Sequence, residues 1–334
     1  MSPLFESRNQ CPVCESTDCT EVYRKPYSSD VLKKYLQNFY SKQGNYDYSK
    51  VKDADYALAK CNSCTCVFQV EIPNDALMNE LYEVWLDPDQ TFEIFEMNYP
   101  LDYYVVHMKK IYRYLRLINK KPKKITVLDF GMGWGNWLQI AKAFGCNVYG
   151  CELSPKRIAY AESNGISNLD FNNIGDRKFD FINTDQVFEH VPNPRTILQK
   201  LIRSLNSDGY IRICVPDGSN IQKLLTILDW DALKGSANSL NVIAPLEHIN
   251  CFTTTSILKM GSDLGLEPVY VPDYPRIDEK ITPLEKGEKL SLIKSSTISL
   301  IKDIIRPVYS KLKKSNAEEI SFRGSDILFR FKKQ

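Results

Sequence analysis

A glycine-rich turn between a strand pattern and a helix pattern constrains this chain more than any other feature. Residues 127–136 read VLDFGMGWGN, and they follow an apolar stretch and open a helix-like segment. Glycines at such a junction let the backbone approach a ligand closely at the carboxyl ends of parallel strands. The alternative is a turn whose glycines serve only the packing of the strand against the helix.

The spacing of the turn argues against a dinucleotide. A dinucleotide site places its third glycine three positions after the second, whereas Gly135 follows Gly133 by two. Asp129, two residues before Gly131, would repel a pyrophosphate but can accept hydrogen bonds from an ammonium group. Glu152 ends the next strand pattern, where a carboxylate can accept hydrogen bonds from two ribose hydroxyls. These residues favour a ligand that has an amino-acid tail and a ribose but no phosphate.

Strand and helix patterns alternate from residue 125 onward. Strands are expected at 125–129, 147–151, 179–182 and 210–215, with helices between them. Such alternation predicts a doubly wound α/β domain with a parallel sheet covered on both faces. The last strand pattern, 326–331, lies too close to the chain end to need a crossover, so we expect it to be antiparallel.

The alternating part resembles class I S-adenosylmethionine (SAM)-dependent methyltransferases. The resemblance covers about residues 125–272 and rests on 129–135, on Glu152 and on 179–194, which contains VFEHVPNP. It implies a Rossmann-like sheet that binds SAM. It also assigns cofactor contacts: the methionyl part to Asp129, Gly131, Met132, Gly133 and Gly135, the ribose to Glu152, and the length of the cofactor to Asp185, Gln186 and Val187.

A cysteine cluster precedes this domain. Six of the ten cysteines fall within the first 66 residues, including two pairs of the spacing that zinc uses, Cys11 with Cys14 and Cys61 with Cys64. Four thiolates close a tetrahedral shell, so the zinc ion is expected to be structural. Buried, reduced cysteines are the alternative. Cys19 and Cys66 follow the pairs as spare thiols.

The chain therefore divides into three expected parts. These are a zinc-binding module (1–72), a helical connector (73–124) and the methyltransferase domain (125–334), with insertions at about 217–244 and 275–320. This order resembles methyltransferases that modify sugars, including the C-methyltransferases of antibiotic deoxysugar pathways. The large third domain of those enzymes has no room here. A sugar or glycan-precursor hydroxyl is therefore the expected acceptor, in carbohydrate biosynthesis.

Methyl transfer to a hydroxyl group requires removal of its proton, and the chain contains three histidines as candidate general bases. In the sugar C-methyltransferases a Glu-His pair supplies the base, and Glu247 and His248 match it, although the preceding tyrosine of that family is absent. We expect His248 to remove the proton while Glu247 orients it, and His190 is a second candidate for the same role. A structural role for His248, and loop organisation by His190, are the alternatives.

Charge and hydropathy narrow the partners. The net charge of +2 and the acids mixed with lysines in residues 20–60 argue against nucleic acid. An RNA methyltransferase that uses the zinc module and a non-catalytic interaction protein are the competing interpretations.

No membrane span or secretory signal is expected in this sequence. A cytoplasmic location is therefore expected. A basic amphipathic helix at 286–314 is expected to pack on the domain, with weak membrane-surface contact as the alternative. The oligomeric state stays open.

Overall fold

The protein's structure, a computed structural model, describes residues 4–94, 99–271 and 326–332. The expected helix at 286–314 and the insertion at 275–320 lie outside these residues. The described strands are β1 (Phe5–Ser7), β2 (Cys19–Pro26), β3 (Asp55–Cys61), β4 (Val67–Gln69), β5 (Glu71–Pro73), β6 (Thr126–Phe130), β7 (Asn147–Cys151), β8 (Ser167–Asn168), β9 (Phe179–Asp185), β10 (Leu205–Cys214), β11 (Asn250–Cys251), β12 (Leu266–Val269) and β13 (Asp326–Phe331).

The α-helices are similarly distributed over both halves of the chain. They are α1 (Asp30–Tyr40), α2 (Asp75–Glu80), α3 (Pro88–Ile94), α4 (Leu101–Leu115), α5 (Asn136–Ala143), α6 (Pro155–Ser163), α7 (Pro194–Arg203), α8 (Ile221–Ile227) and α9 (Thr254–Asp263). A π-helical turn, Leu81–Trp85, continues α2. Within the described ranges, no helix is both long and apolar enough to cross a bilayer.

The central sheet confirms the expected α/β architecture. Its strand order is β12-β13-β10-β9-β6-β7-β8, and the strands from β10 to β8 run parallel. Strand β13 pairs antiparallel with β10, as its position at the chain end predicts. Strand β10 begins earlier than expected, at Leu205, which pairs with Phe179 of β9 before a register shift interrupts the pairing as far as Tyr210. The apolar parallel strands place the carboxyl ends of β6 and β9 side by side.

A second, smaller sheet joins distant parts of the sequence. Its order is β11-β4-β3-β2, so β11, which follows the insertion at 217–244, pairs antiparallel with β4 near the N-terminus. The half-buried Arg8 reinforces this junction: its guanidinium donates to the carbonyl oxygens of Gln69 and Ile249 and to Oδ1 of Asn250. The N-terminal sheet thus includes residues from both the first and the third expected parts of the chain.

The insertion at 217–244 packs against helix α1. Leu32, Leu36 and Tyr40 of α1 share one hydrophobic cluster with Ile221 of α8 and with Ile243. Helix α1 is amphipathic, and its three buried residues recur at positions i, i+4 and i+8, which lie on one face of a helix. This packing brings the N-terminal residues and the insertion together beside the central sheet.

Candidate active site and cysteine cluster

A cavity of about 500 Å³ lies where strands β6 and β9 end. The walls come from the glycine-rich turn, from the loop after β9, from the helices of the N-terminal half and from the insertion. Its lining residues include Phe39, Gln43, Tyr82, Tyr99, Tyr103, His107, Asp129, Gly131, Met132, Gly133, Trp134, Arg157, Asn183, Asp185, Gln186, Lys234 and Glu247. Most of the residues expected to hold SAM therefore face one space.

Asp129 is buried at the end of β6. Its Oδ1 accepts a hydrogen bond of 2.8 Å from Nδ2 of Asn183 on the neighbouring strand β9. Burial, together with the nearby negative charges of Asp185 and Glu152, raises the pKa of Asp129 to about 8, against the opposing effects of the Asn183 hydrogen bond and the Arg212 charge. The cavity therefore presents a carboxyl group whose charged form needs a cationic partner.

A buried arginine organises this corner. Arg212 donates 2.8 Å hydrogen bonds to Oδ1 of Asn183 and to Oδ2 of Asp185, and its Nε donates to Asp326 at 2.7 Å. Burial alone would raise the pKa of Asp185, but the positive charge of Arg212 holds that pKa below its usual value. Because Arg212 fixes the amide oxygen of Asn183, the amide nitrogen is directed to Asp129. The two acids thus differ in their environments.

The glycine-rich turn has the backbone that its sequence implies. Gly131, Gly133 and Gly135 all have positive φ angles, of 72°, 54° and 81°, and Gly135 precedes the first turn of α5. A Cβ on Gly131 would overlap Cγ2 of Val187, the residue expected to lie along the cofactor. Met132 is buried between two of these glycines and lines the cavity. The turn therefore needs glycine both for its conformation and for its contact with the loop after β9.

Glu152 lies at the end of β7 and touches the same turn. Its Oε2 accepts a hydrogen bond of 2.9 Å from the backbone nitrogen of Gly133, and Oε1 accepts from the nitrogens of Leu153 and Ser154 at 2.8 and 3.0 Å. Each carboxylate oxygen has lone pairs left for a further donor. The ribose contact assigned to Glu152 stays a prediction.

Glu247 and His248 have different surroundings in the structure. Oε1 of Glu247 accepts a 2.9 Å hydrogen bond from the hydroxyl of Tyr40, and the Glu247 side chain lines the cavity. Nδ1 of His248 is buried and has no hydrogen-bond partner among the described residues. Burial raises the pKa of Glu247 to about 7 and lowers that of His248 well below its usual value. The carboxylate, rather than the imidazole, faces the cavity.

His190 lies just behind the cavity wall. Its Nδ1 is 2.8 Å from the hydroxyl of Tyr82 and 3.0 Å from the carbonyl oxygen of Glu247. Burial lowers the pKa of His190 to about 4. The neutral ring therefore links the loop after β9 to the loop that carries Glu247, in keeping with the alternative in which His190 organises its loop.

Several lining residues were not identified from the sequence. Phe39 and Gln43 come from the N-terminal half, as does Tyr40 behind Glu247, and Lys234 comes from the insertion. Nothing local in the sequence distinguishes these residues from other surface or core positions. Only their long-range packing brings them to the cavity.

The four expected zinc ligands lie together. Sγ of Cys11 is 3.6 Å from that of Cys64, Sγ of Cys14 is 3.5 Å from that of Cys61, and all four sulfur atoms lie within 4.8 Å of one another. Around one tetrahedral zinc ion, sulfur atoms are about 3.8 Å apart. The donor set and its spacing therefore fit zinc, although other thiophilic ions share this preference.

The two cysteine turns also have matching backbones. The residue after the second cysteine of each pair, Glu15 or Thr65, has a positive φ, and its nitrogen donates to the carbonyl oxygen of the first cysteine. The spare thiols lie next to these four: Cys19 donates to the carbonyl oxygen of Ser16 and lies near Cys61, and Cys66 lies near Cys11 and donates to the carbonyl oxygen of Cys251. Two equivalent turns thus present two thiols each to a common centre.

Comparisons with known proteins place the central segment. The family described as Methyltransferase domain matches residues 107–271. The Ubiquinone biosynthesis O-methyltransferase of Glaesserella parasuis serovar 5 is 26% identical over 192 residues, which cover 50% of this chain and 76% of that protein. The protein of the same name from Nitrosomonas europaea is 26% identical over 145 residues, which cover 40% of this chain and 57% of that protein.

Two solved structures also align with parts of this chain. The plantazolicin methyltransferase BpumL in complex with SAH aligns with a TM-score of 0.45 at 18% identity, over 78% of this chain and 95% of that chain. A SAM-dependent methyltransferase from Archaeoglobus fulgidus aligns with a TM-score of 0.36 at 15% identity, over 68% and 92% of the two chains. The family match falls on the segment that contains the glycine-rich turn and strands β6 to β12.

Proposed function

We propose that this chain, a SAM-dependent methyltransferase, transfers a methyl group to a hydroxyl of a sugar-derived or glycan-precursor acceptor. One observation carries the proposal: the Glu247 carboxylate lines the same cavity as Asp129 and the glycine-rich turn. A hydroxyl acceptor must lose its proton as the methyl group arrives, and a carboxylate that lines the cavity can take it. Glu247 thus replaces His248 as the proposed base.

The proposed cofactor site uses the residues already described. Asp129 would accept hydrogen bonds from the ammonium group, Glu152 would accept from the ribose hydroxyls, and the backbone of the glycine-rich turn would contact the methionyl part. SAM supplies an activated methyl group on a sulfonium centre. Asn183 and Arg212 hold Asp129 in place, so the acid need not reorient on binding.

Tyr40 and Glu247 act on the acceptor side of the proposal. The Tyr40 hydroxyl donates to Oε1 of Glu247, which leaves the other carboxylate oxygen free to accept the acceptor's proton. Arg157 and Lys234 line the same cavity and add positive charge. An acceptor that carries a phosphate or carboxylate fits such a site, as an activated sugar does.

A phenolic acceptor is the second candidate. Tyr99, Tyr103 and Trp137 line the cavity and offer aromatic faces on which a flat ring can stack. Two relatives named Ubiquinone biosynthesis O-methyltransferase match half of the chain or less. A phenol is more acidic than a sugar hydroxyl, so its methylation depends less on a base.

We also propose that Cys11, Cys14, Cys61 and Cys64 hold one structural zinc ion. Four thiolates complete its shell, which leaves no position for a reacting molecule. The cluster lies beside strand β3 and the β4–β11 pairing. A bound ion would therefore stabilise the sheet whose strand β11 directly follows the Glu247 loop. No step of the methyl transfer involves this site.

The acceptor class can be tested directly. The full chain is incubated with SAM and one class of acceptor at a time: nucleotide sugars, sugar phosphates or dihydroxylated phenols. The masses of the products are measured by mass spectrometry. A gain of one methyl group on an anionic sugar, lost in Glu247→Gln, supports the proposal. Methylation of the phenols alone favours the second candidate. Methylation of a nitrogen or carbon atom overturns hydroxyl transfer.

A further inference from the structure

A second group of metal-binding side chains lies apart from the cysteines. Glu189, His190 and His248 each offer one donor atom, and these atoms all lie within 4.8 Å of one another. Nε2 of His190 is 3.7 Å from Oε1 of Glu189, and the two imidazole ring centres are 4.7 Å apart. We call these three residues the Glu-His-His cluster.

Two of the three residues carry buried side-chain atoms that lack hydrogen-bond partners. Glu189 is fully buried, and neither of its carboxylate oxygens has a hydrogen-bond partner in the described part of the chain. Nδ1 of His248, a residue with 8% of its surface exposed, is equally without one. A buried polar atom without a partner costs roughly 1–3 kcal/mol, and a carboxylate costs more. Three such atoms in one cluster would be stabilised by a bound cation or by protons that the side chains share.

We propose that the Glu-His-His cluster binds a divalent zinc-like ion through one oxygen of Glu189, Nε2 of His190 and Nδ1 of His248. Two imidazoles and one carboxylate form a donor set that zinc accepts. Around one tetrahedral ion such donors are about 3.4 Å apart, so the 3.7 Å pair is already close to that spacing and the other pairs need to shorten by at most about 1.4 Å. The other ring nitrogen of His190 is already held by Tyr82 and Glu247, as second contacts of metal-bound histidines are.

The position of the cluster indicates what a bound ion would do in the structure. Glu189 and His190 belong to the loop that follows β9, whereas His248 belongs to the loop that carries Glu247. Both loops form walls of the cavity, through Gln186 and Glu247. An ion would fix one wall to the other, and the 21% exposed side chain of His190 gives it a route from solvent. This role does not depend on the proposed acceptor.

The experiment compares metal content between variants of the full chain. Wild type, Glu189→Gln, His248→Gln and the control His107→Gln are loaded with zinc, dialysed against metal-free buffer and analysed for zinc per chain. His107 is the third histidine and lies outside the cluster, with Nδ1 against the carbonyl of Tyr103. We expect Glu189→Gln and His248→Gln each to contain one zinc equivalent fewer than wild type, and His107→Gln to match wild type.

The comparison stands whether or not the cysteines bind zinc, because it depends on a difference of one equivalent. Equal zinc content in wild type and both cluster variants overturns the proposal and leaves a cluster of shared protons. If a variant fails to fold, X-ray absorption of zinc-loaded wild type decides. A signal from zinc bound by nitrogen and oxygen, with or without a second signal from sulfur-bound zinc, supports the proposed site. A signal from sulfur-bound zinc alone overturns it.

Discussion

Tyr40 donates its hydroxyl hydrogen to Oε1 of Glu247 across 2.9 Å, from the end of helix α1 to the loop before β11. The two residues are 207 positions apart in the sequence, and Tyr40 is almost completely buried. The helix from the N-terminal half therefore supports a carboxylate that lines the cavity. We expect this contact to affect turnover.

Replacing Tyr40 by Phe is expected to lower turnover without weakening SAM binding. The change removes one hydrogen bond to a charged group, worth about 1.5–3 kcal/mol, which corresponds to roughly a 10- to 150-fold loss if all of it acts on the transition state. Tyr46→Phe is a matched control, since Tyr46 stacks on Tyr40 but its buried hydroxyl has no partner among the described residues. Steady-state kinetics and calorimetry check both, and equal kinetics for the two variants would contradict the supporting role of Tyr40.

Glu247→Gln is expected to be the most damaging change on the acceptor side. Losing a general base costs on the order of 10²- to 10⁴-fold in rate, whereas the SAM contacts are untouched. Glu267→Gln serves as the control, because Glu267 pairs with Arg330 at the far edge of the sheet. Turnover and SAM affinity are measured for both variants. A larger loss of turnover in His248→Gln than in Glu247→Gln would restore the base expected from the sequence.

The sequence reveals those parts of the site that are local. Asp129 lies at the end of one strand, the glycines come directly after it, and Gln186 comes directly after the neighbouring parallel strand. The carboxyl ends of such strands must meet at one edge of the sheet. The different surroundings of Glu247 and His248 could not be deduced, because the partner of Glu247 is Tyr40 on the distant helix α1. The pairing of β11 with β4 is equally hidden, since two-residue strands leave no pattern.

Cys11→Ser is expected to remove one zinc ion and to lower the thermal unfolding temperature of the whole described fold. Cys11 and Cys64 share a hydrophobic cluster with Leu128 and Ile182 of the central sheet, so the module and the sheet should unfold together. Cys19→Ser is the control, because its thiol lies outside the four-sulfur cluster. Zinc analysis and calorimetric unfolding test this. Two separate transitions, with only the first shifted, would show that the module unfolds independently.

SAM binding is expected to release a proton from Asp129. With a pKa of about 8, this carboxyl is about 90% protonated at pH 7, and an ammonium partner favours its charged form. Affinity should therefore tighten as the pH rises toward 8, while Asp185, held ionised by Arg212, contributes no release. Calorimetry in two buffers of different ionisation enthalpy counts the protons. Asp129→Asn should bind more weakly with little release, and unchanged release in that variant would assign the proton to another group.

Gly131→Ala tests the turn itself. A positive φ of 72° costs an L residue about 1–2 kcal/mol, and the new methyl group would also overlap Val187. We expect lower thermal stability and weaker SAM binding, whereas Gly175→Ala should change neither, because nothing lies within 4 Å of a Cβ there and its φ is ordinary. Adding Val187→Ala to Gly131→Ala separates the two causes, since it relieves the overlap and leaves the backbone strain. Calorimetry should then show partial recovery of affinity. Full recovery would mean that the conformation of the turn contributes little, and no recovery would mean that the overlap does not matter.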